Sequence, residues 1–213
     1  MTAYLGDVSA LARKDLLLEL RSRDTLPALL LFVVSALVVF RFALPAGSSR
    51  LAAGGLLWIA IVFTALLALA RAFVAEREQR VLDGLVLAPS DRSAIWLAKG
   101  LSVLAFLLAA ELIAVPAFAL FFASVTWATV GGILLADIGI AAVGTLFAAI
   151  AAASRARELL LPLLFLPPVV PVVVGGVGAT VADDPARYLG FLVLYDVLFA
   201  ILAWASFEYV VTE

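Results

Sequence analysis

Four charged side chains stand inside stretches that are otherwise apolar: Arg41, Glu111, Asp137 and Asp196. An unpaired charge at mid-depth in a bilayer costs roughly 2.5–3.5 kcal/mol on insertion scales. Such groups therefore face a protein interior, a partner or water, where they hold an ion pair, a proton or a polar substrate. The expected arrangement pairs Arg41 with Asp137 or Asp196. It leaves Glu111 protonated or hydrogen-bonded at an interface. Two roles stay open for each residue: glue between helices, or the wall of a substrate path.

A second concentration of chemistry is the run AFVAEREQRVLDGLVLAPSDRSAIWLAKG, residues 72–100. Charges at Glu76, Arg77, Glu78 and Arg80 precede five large aliphatics, Val81, Leu82, Leu85, Val86 and Leu87, and then Pro89. A turn between two helices needs only a few residues. This run is long enough for a short helix, charged at one end and apolar at the other, which Pro89 stops by removing an amide donor. Ser90 or Ser93 suits the cap of the following helix. Trp96 suits an interfacial belt, and Lys99 can snorkel. The expected docking residues are Glu76, Arg77, Glu78, Leu82, Leu85 and Pro89. The competing reading is a solvated charged loop.

Other chemistry is excluded by composition. The chain has no Cys and no His, and its one Met is Met1. Disulfides, thiolate nucleophiles and the common metal and haem ligands are therefore missing, and no metal site is expected. No GxxxxGK[ST] run is present, so ATP hydrolysis by a P-loop mechanism is not expected of this chain. A net charge of −2 implies no bulk attraction to nucleic acid.

The elements that must position these residues are membrane spans. Hydrophobic residues make up 66% of the 213 residues and charged ones only 14%, too apolar for a soluble core. About 20 apolar residues cross a bilayer. Six windows qualify, at roughly 26–44, 51–73, 100–122, 129–151, 159–180 and 188–210. Arg and Lys mark the cytoplasmic side. Eleven of the fourteen fall at the N-terminus, around 71–99 and at 155–157, whereas only Arg41, Arg50 and Arg187 fall on the other face. The expected fold is one all-α integral membrane domain over residues 1–213, six spans, with both termini inside. The N-terminus has no continuous apolar core before its charges and is not expected to be a cleavable signal. Residues 1–25 read as an interfacial amphipathic helix, with Leu5, Val8, Ala12, Leu16 and Leu20 on one stripe and Lys14 and Arg21 opposite. Residues 74–99 read as a cytoplasmic loop. Pro162, Pro167, Pro168 and Pro171 are expected to kink or partly unwind the fifth span, with Pro167 and Pro171 as a hinge or a static bend. Pro116 is expected to kink the third.

Several motifs resemble the haem exporter B (CcmB) family. They are Leu-Leu-Trp-Ile-Ala at 56–60, Leu-Ala-Leu before the end of the same span, Leu82, Leu85 and Leu87 followed by Pro89, and Leu97-Ala98-Lys99. A second block, LLLPLLFLPPVVPVVV, carries Leu166, Pro167 and Pro171. The resemblance extends over nearly the whole chain. It implies the permease subunit of an ABC transporter for cytochrome c-type biogenesis, in the bacterial inner membrane, with a type-2 exporter fold. It implies that the 74–99 loop is a coupling helix seated in a separate CcmA-like ATPase, which binds ATP and Mg. Other implied partners are CcmC-like and CcmD-like membrane subunits and a CcmE-like haem chaperone, with haem as cargo and two copies of this subunit per complex. The residues alone leave two further readings open: a generic type-2 exporter of lipid, glycan or drug, and a non-transporting assembly scaffold.

Overall fold

The computed structural model describes residues 2–22, 25–45, 50–73, 91–122, 125–154 and 156–212. These residues form seven α-helices: α1 (Thr2–Ser22), α2 (Thr25–Ala43), α3 (Arg50–Arg71), α4 (Arg92–Phe121), α5 (Trp127–Ala153), α6 (Arg157–Val181) and α7 (Ala186–Thr212). Helices α2 to α7 are each long and apolar enough to cross a membrane. No strand occurs among the described residues. In hydrocarbon a helix satisfies its own backbone, which is why spans of this composition take no other form.

The innermost span is α5, which packs against α3, α4, α6 and α7. Its buried face is built from small residues, Ala136, Gly139, Ala142 and Gly144 among them, which let neighbouring helices come close. At Gly139 a Cβ would meet the Asp196 carboxyl and the Tyr195 ring of α7. Helix α2 lies at the edge and shows its partners a single stripe of Thr25, Leu29, Val33 and Leu37, one residue per turn. Leu31, Val39, Phe42, Leu112, Leu120 and Leu163 are exposed, as a lipid-facing surface requires.

Between α3 and α6 the contact turns on Trp58. Its ring is fully buried and lies directly on Gly176, where any Cβ would overlap the indole. The indole N–H donates to Thr180 Oγ1 at 3.0 Å, and that hydroxyl donates to the Gly176 carbonyl at 2.9 Å. The tryptophan thus has both its apolar face and its one donor satisfied by α6.

Three expectations change. The third span begins at Arg92, eight residues before the expected 100, so residues 92–99 are helix and not loop. Its cap is Asp91, whose carboxylate accepts from the Ser93 amide at 2.9 Å, so the cap is not the expected Ser93, and Ser90 lies outside the described residues. An ionised carboxylate at this position also favours the positive end of the helix dipole. Of the two forms expected for the fifth span, partial unwinding is not found, which leaves a kink within a continuous helix: α6 stays helical through Pro162, Pro167, Pro168 and Pro171, as α4 does through Pro116. A neighbour does reach the proline run, since the Tyr195 hydroxyl donates to the Pro168 carbonyl at 2.7 Å.

Candidate functional site

Two groups of polar side chains stand out in the bundle. The first lies within the membrane. Glu111 is ten residues from the end of α4 at Phe121, Asp137 ten from the start of α5 at Trp127, and Asp196 ten from the start of α7 at Ala186. At 1.5 Å per residue, all three sit about 15 Å below the outer helix ends. Their helices pack on one another pairwise. Glu111 belongs to the buried stripe of α4, between Ala110 and Ala114, and its carboxyl faces that of Asp137. Asp196 presses on the opposite side of α5, against Gly139. The three are 8%, 0% and 7% exposed. Glu111 Oε1 and both oxygens of Asp137 and Asp196 have no hydrogen-bond partner among the described residues.

The expected pairing of Arg41 with Asp137 or Asp196 is not formed. Arg41 sits two residues from the outer end of α2 and is exposed. That places it about 12 Å above the level of the carboxyls, on a helix whose partners are α1, α3 and α4. Among the described side chains of the six spans no cation pairs with the acids. Arg50, Arg71, Arg92, Arg157 and Arg187 stand at or next to helix ends, and Lys99 is committed elsewhere.

The second group lies at the opposite, inner end, where the charge bias places the cytoplasm. Its centre is Lys99, which is 4% exposed. The ammonium lies 3.0 Å from Asp15 Oδ2 of α1. It donates to the Ala72 carbonyl, just past α3, at 2.8 Å. It also sits over the Phe73 ring, 5.2 Å from the centroid. Lys14 approaches the other oxygen of Asp15 at 3.1 Å. Further along α4, the Trp96 indole donates to the Ala142 carbonyl of α5 at 3.1 Å. The Ser93 hydroxyl meets Asp91 Oδ1 at 2.8 Å and the Tyr4 hydroxyl at 3.2 Å. Beside Lys99 lies a cavity of about 40 Å³, lined by Asp15, Thr25, Arg71, Lys99 and Ser102 on its polar side. A polar space of that size admits water to the ion pair.

This joint also revises the reading of α1. Val8 and Ala12 are buried against Ala94 and Ala98, with Tyr4, Leu11 and Leu97 packed around them. Leu5 and Leu20 of the expected stripe are exposed instead, as are Leu17 and Leu18. The docked face runs Tyr4, Val8, Leu11, Ala12, Asp15, at spacings of three and four. Asp15 is thus an acid placed at the end of a packed face, and Lys99, expected to snorkel, answers it. The signal in the sequence was that spacing, hidden because a carboxylate breaks an apolar stripe.

Pro167 is exposed and Pro171 half-buried within the unbroken α6. The docking residues Glu76, Arg77, Glu78, Leu82, Leu85 and Pro89 lie outside the described residues. Among the described residues no group of three His, Cys, Asp or Glu side chains is arranged to hold a metal ion. Compared with known proteins, residues 7–208 match the family described as CcmB protein. No curated protein matches the chain.

Proposed function

The chain belongs to the CcmB family, matched over nearly its full length, and on that premise we propose that it is the permease subunit of an ABC transporter serving cytochrome c biogenesis in the bacterial inner membrane. The observation that carries this reading is a family match over 7–208 in a chain with six spans and no P-loop of its own. A separate CcmA-like ATPase supplies the hydrolysis, with ATP and Mg bound there. The chain itself performs no catalysis. Residues 74–90, together with the first turns of α4, receive the force of ATPase closure. Two copies of the chain face the two clefts of an ATPase dimer, beside CcmC-like and CcmD-like subunits.

Haem is a cargo of the complex and not a ligand of this chain. The chain lacks the His and Cys that most often ligate haem iron, which leaves only Met1 and four tyrosines. The Tyr195 hydroxyl is committed to the Pro168 carbonyl. The absence of these ligands favours work spent on releasing a haem-loaded CcmE-like chaperone over conduction of haem between the spans.

Copurification from the native membrane tests the reading. An epitope-tagged chain is expected to bring down a P-loop ATPase together with haem-handling membrane subunits. Replacement of residues 76–87 by a Gly/Ser tether is expected to abolish ATPase attachment and cytochrome c production. An intact complex and normal cytochrome c after that replacement would refute coupling through this segment. An ATPase without haem-handling partners would point to a generic exporter, and no ATPase at all to a scaffold.

A further inference from the structure

We propose that Asp15 and Lys99 are positioning residues that make α1 part of the force-transmitting unit. Through them α1 moves as one body with the inner ends of α3 and α4. The proposal rests on the reading that force enters the chain between those two ends.

Apolar docking of α1 is thin. Among the described residues its buried apolar contact is Val8 and Ala12 on Ala94 and Ala98, with partial cover from Tyr4, Leu11 and Leu97. Small side chains bury little area, so this contact alone holds the helix weakly. The polar joint supplies what the alanines do not. A single ammonium engages three separate segments: the carboxylate of α1, the carbonyl just past α3, and the stem of α4 that bears it. A cation is favoured at the carbonyl-rich end of α3, where the last carbonyls lack helical donors. The ammonium also lies over the Phe73 ring.

Buried ion pairs contribute little net stability, because desolvation offsets attraction, but loss of one partner leaves a buried charge and is costly. Such pairs are retained where they fix one arrangement among several, and this pair fixes the register of α1 on α4. The chain leaves the joint at Phe73 and re-enters at Asp91, so displacement of either stem is passed to α1 through Lys99. Helix α1 carries Leu5, Leu17 and Leu20 exposed on its other side, a surface suited to acyl chains at the inner interface. It is thereby a lever between the stems and the membrane surface.

The test uses the tagged chain in its full complex with the native ATPase, reconstituted in lipid. Asp15→Asn, Lys99→Met and the charge-conserving double variant Asp15→Glu with Lys99→Arg are compared for ATPase attachment, ATP hydrolysis, cytochrome c production and amide hydrogen exchange. Each single variant is expected to keep the ATPase bound and hydrolysing. Cytochrome c output should fall about tenfold, within the range that couplings between sites span. Exchange in α1 should speed by a similar factor while α5 and α6 stay protected. The charge-conserving double variant is expected to retain both. Loss of protection in α5 and α6 would show misfolding of a single variant, and the decision then passes to the charge-conserving double variant: retained output and α1 protection support the proposal, and loss of them overturns it. If α1 is freed but output is unchanged, the pair is only glue and the proposal falls. If the single variants leave α1 protection and output unchanged, it falls as well. A wild-type chain that binds no ATPase would instead overturn the function on which the proposal rests.

Discussion

Glu111 and Asp137 pose the sharpest question at the scale of single residues, since five carboxyl oxygens at one level, with those of Asp196, lack hydrogen-bond donors. The two carboxyls face each other; removing one partner of a buried polar contact leaves the other uncompensated, whereas replacing both by apolar groups of like size is nearly neutral or stabilising. Glu111→Met combined with Asp137→Leu is therefore expected to leave the thermal midpoint of the purified chain in detergent unchanged or raised. A fall of several degrees would show that one of the carboxyls is held by a further partner within the chain. Cytochrome c production measured on the same variant separates the two roles: unchanged output removes both carboxyls from the functional residues, and lost output with an intact fold places the pair on a path. Trp58 gives a prediction of the opposite sign. A methyl at Gly176 would overlap the indole ring, and neither the helix backbone nor a fully buried ring yields cheaply. Gly176→Ala is expected to cost about 1–3 kcal/mol, the usual range for overpacking. Trp58→Leu in the same chain should recover part of that loss, because the two changes share one space and do not add. Thermal unfolding of the four variants in a double-mutant cycle measures it, and simple additivity would refute the contact.

Elements were legible in the sequence to the degree that lipid simplifies them. Spans one, two, four, five and six fall within about two residues of their expected bounds, because uninterrupted apolar runs of about 20 residues have one stable form in a bilayer. The third span was legible only in part. Arg92 and Lys99 lower the local hydropathy, so its first eight residues read as loop, although Ala94, Ile95 and Ala98 already carry the helical stripe. Partners across elements were least legible. Arg41 and the acids suggest a pair by charge alone, but the common level of the three acids emerges only from helix ends that charge does not define. Asp15 was missed for the complementary reason, that its partner lies 84 residues away in sequence. The proline run shows a third limit. Each Pro deletes one helical hydrogen bond, yet α6 stays unbroken because packing on α3, α5 and α7 holds its backbone. Part of that support is the Tyr195 hydroxyl on the Pro168 carbonyl. Tyr195→Phe is expected to lower stability by about 1 kcal/mol and to speed amide exchange in the Val169–Val173 turn. Equal exchange in both proteins would show that α6 needs no outside acceptor or donor there.

At the scale of the whole molecule, the fold makes orientation in the membrane a single binary quantity. Six spans return the chain to the side from which it starts, and the Lys99 joint places α1 on the same side as the inner ends of α3 and α4. The turn between α6 and α7, with Asp183 and Asp184 exposed, must then lie on the other side. Charge bias assigns the α1 side to the cytoplasm, and an ATPase can act only there. Because the native chain has no Cys, single cysteines report position without background. In spheroplasts treated with a membrane-impermeant maleimide, Asp184→Cys is expected to react at once. Arg13→Cys, exposed on α1, is expected to react only after the membrane is opened. Reaction of both before opening would mean an odd number of crossings between the two positions is wrong, and with it the six-span fold. The reverse pattern would keep the fold but turn the joint outward, where no nucleotide-driven partner could reach the stems of α3 and α4.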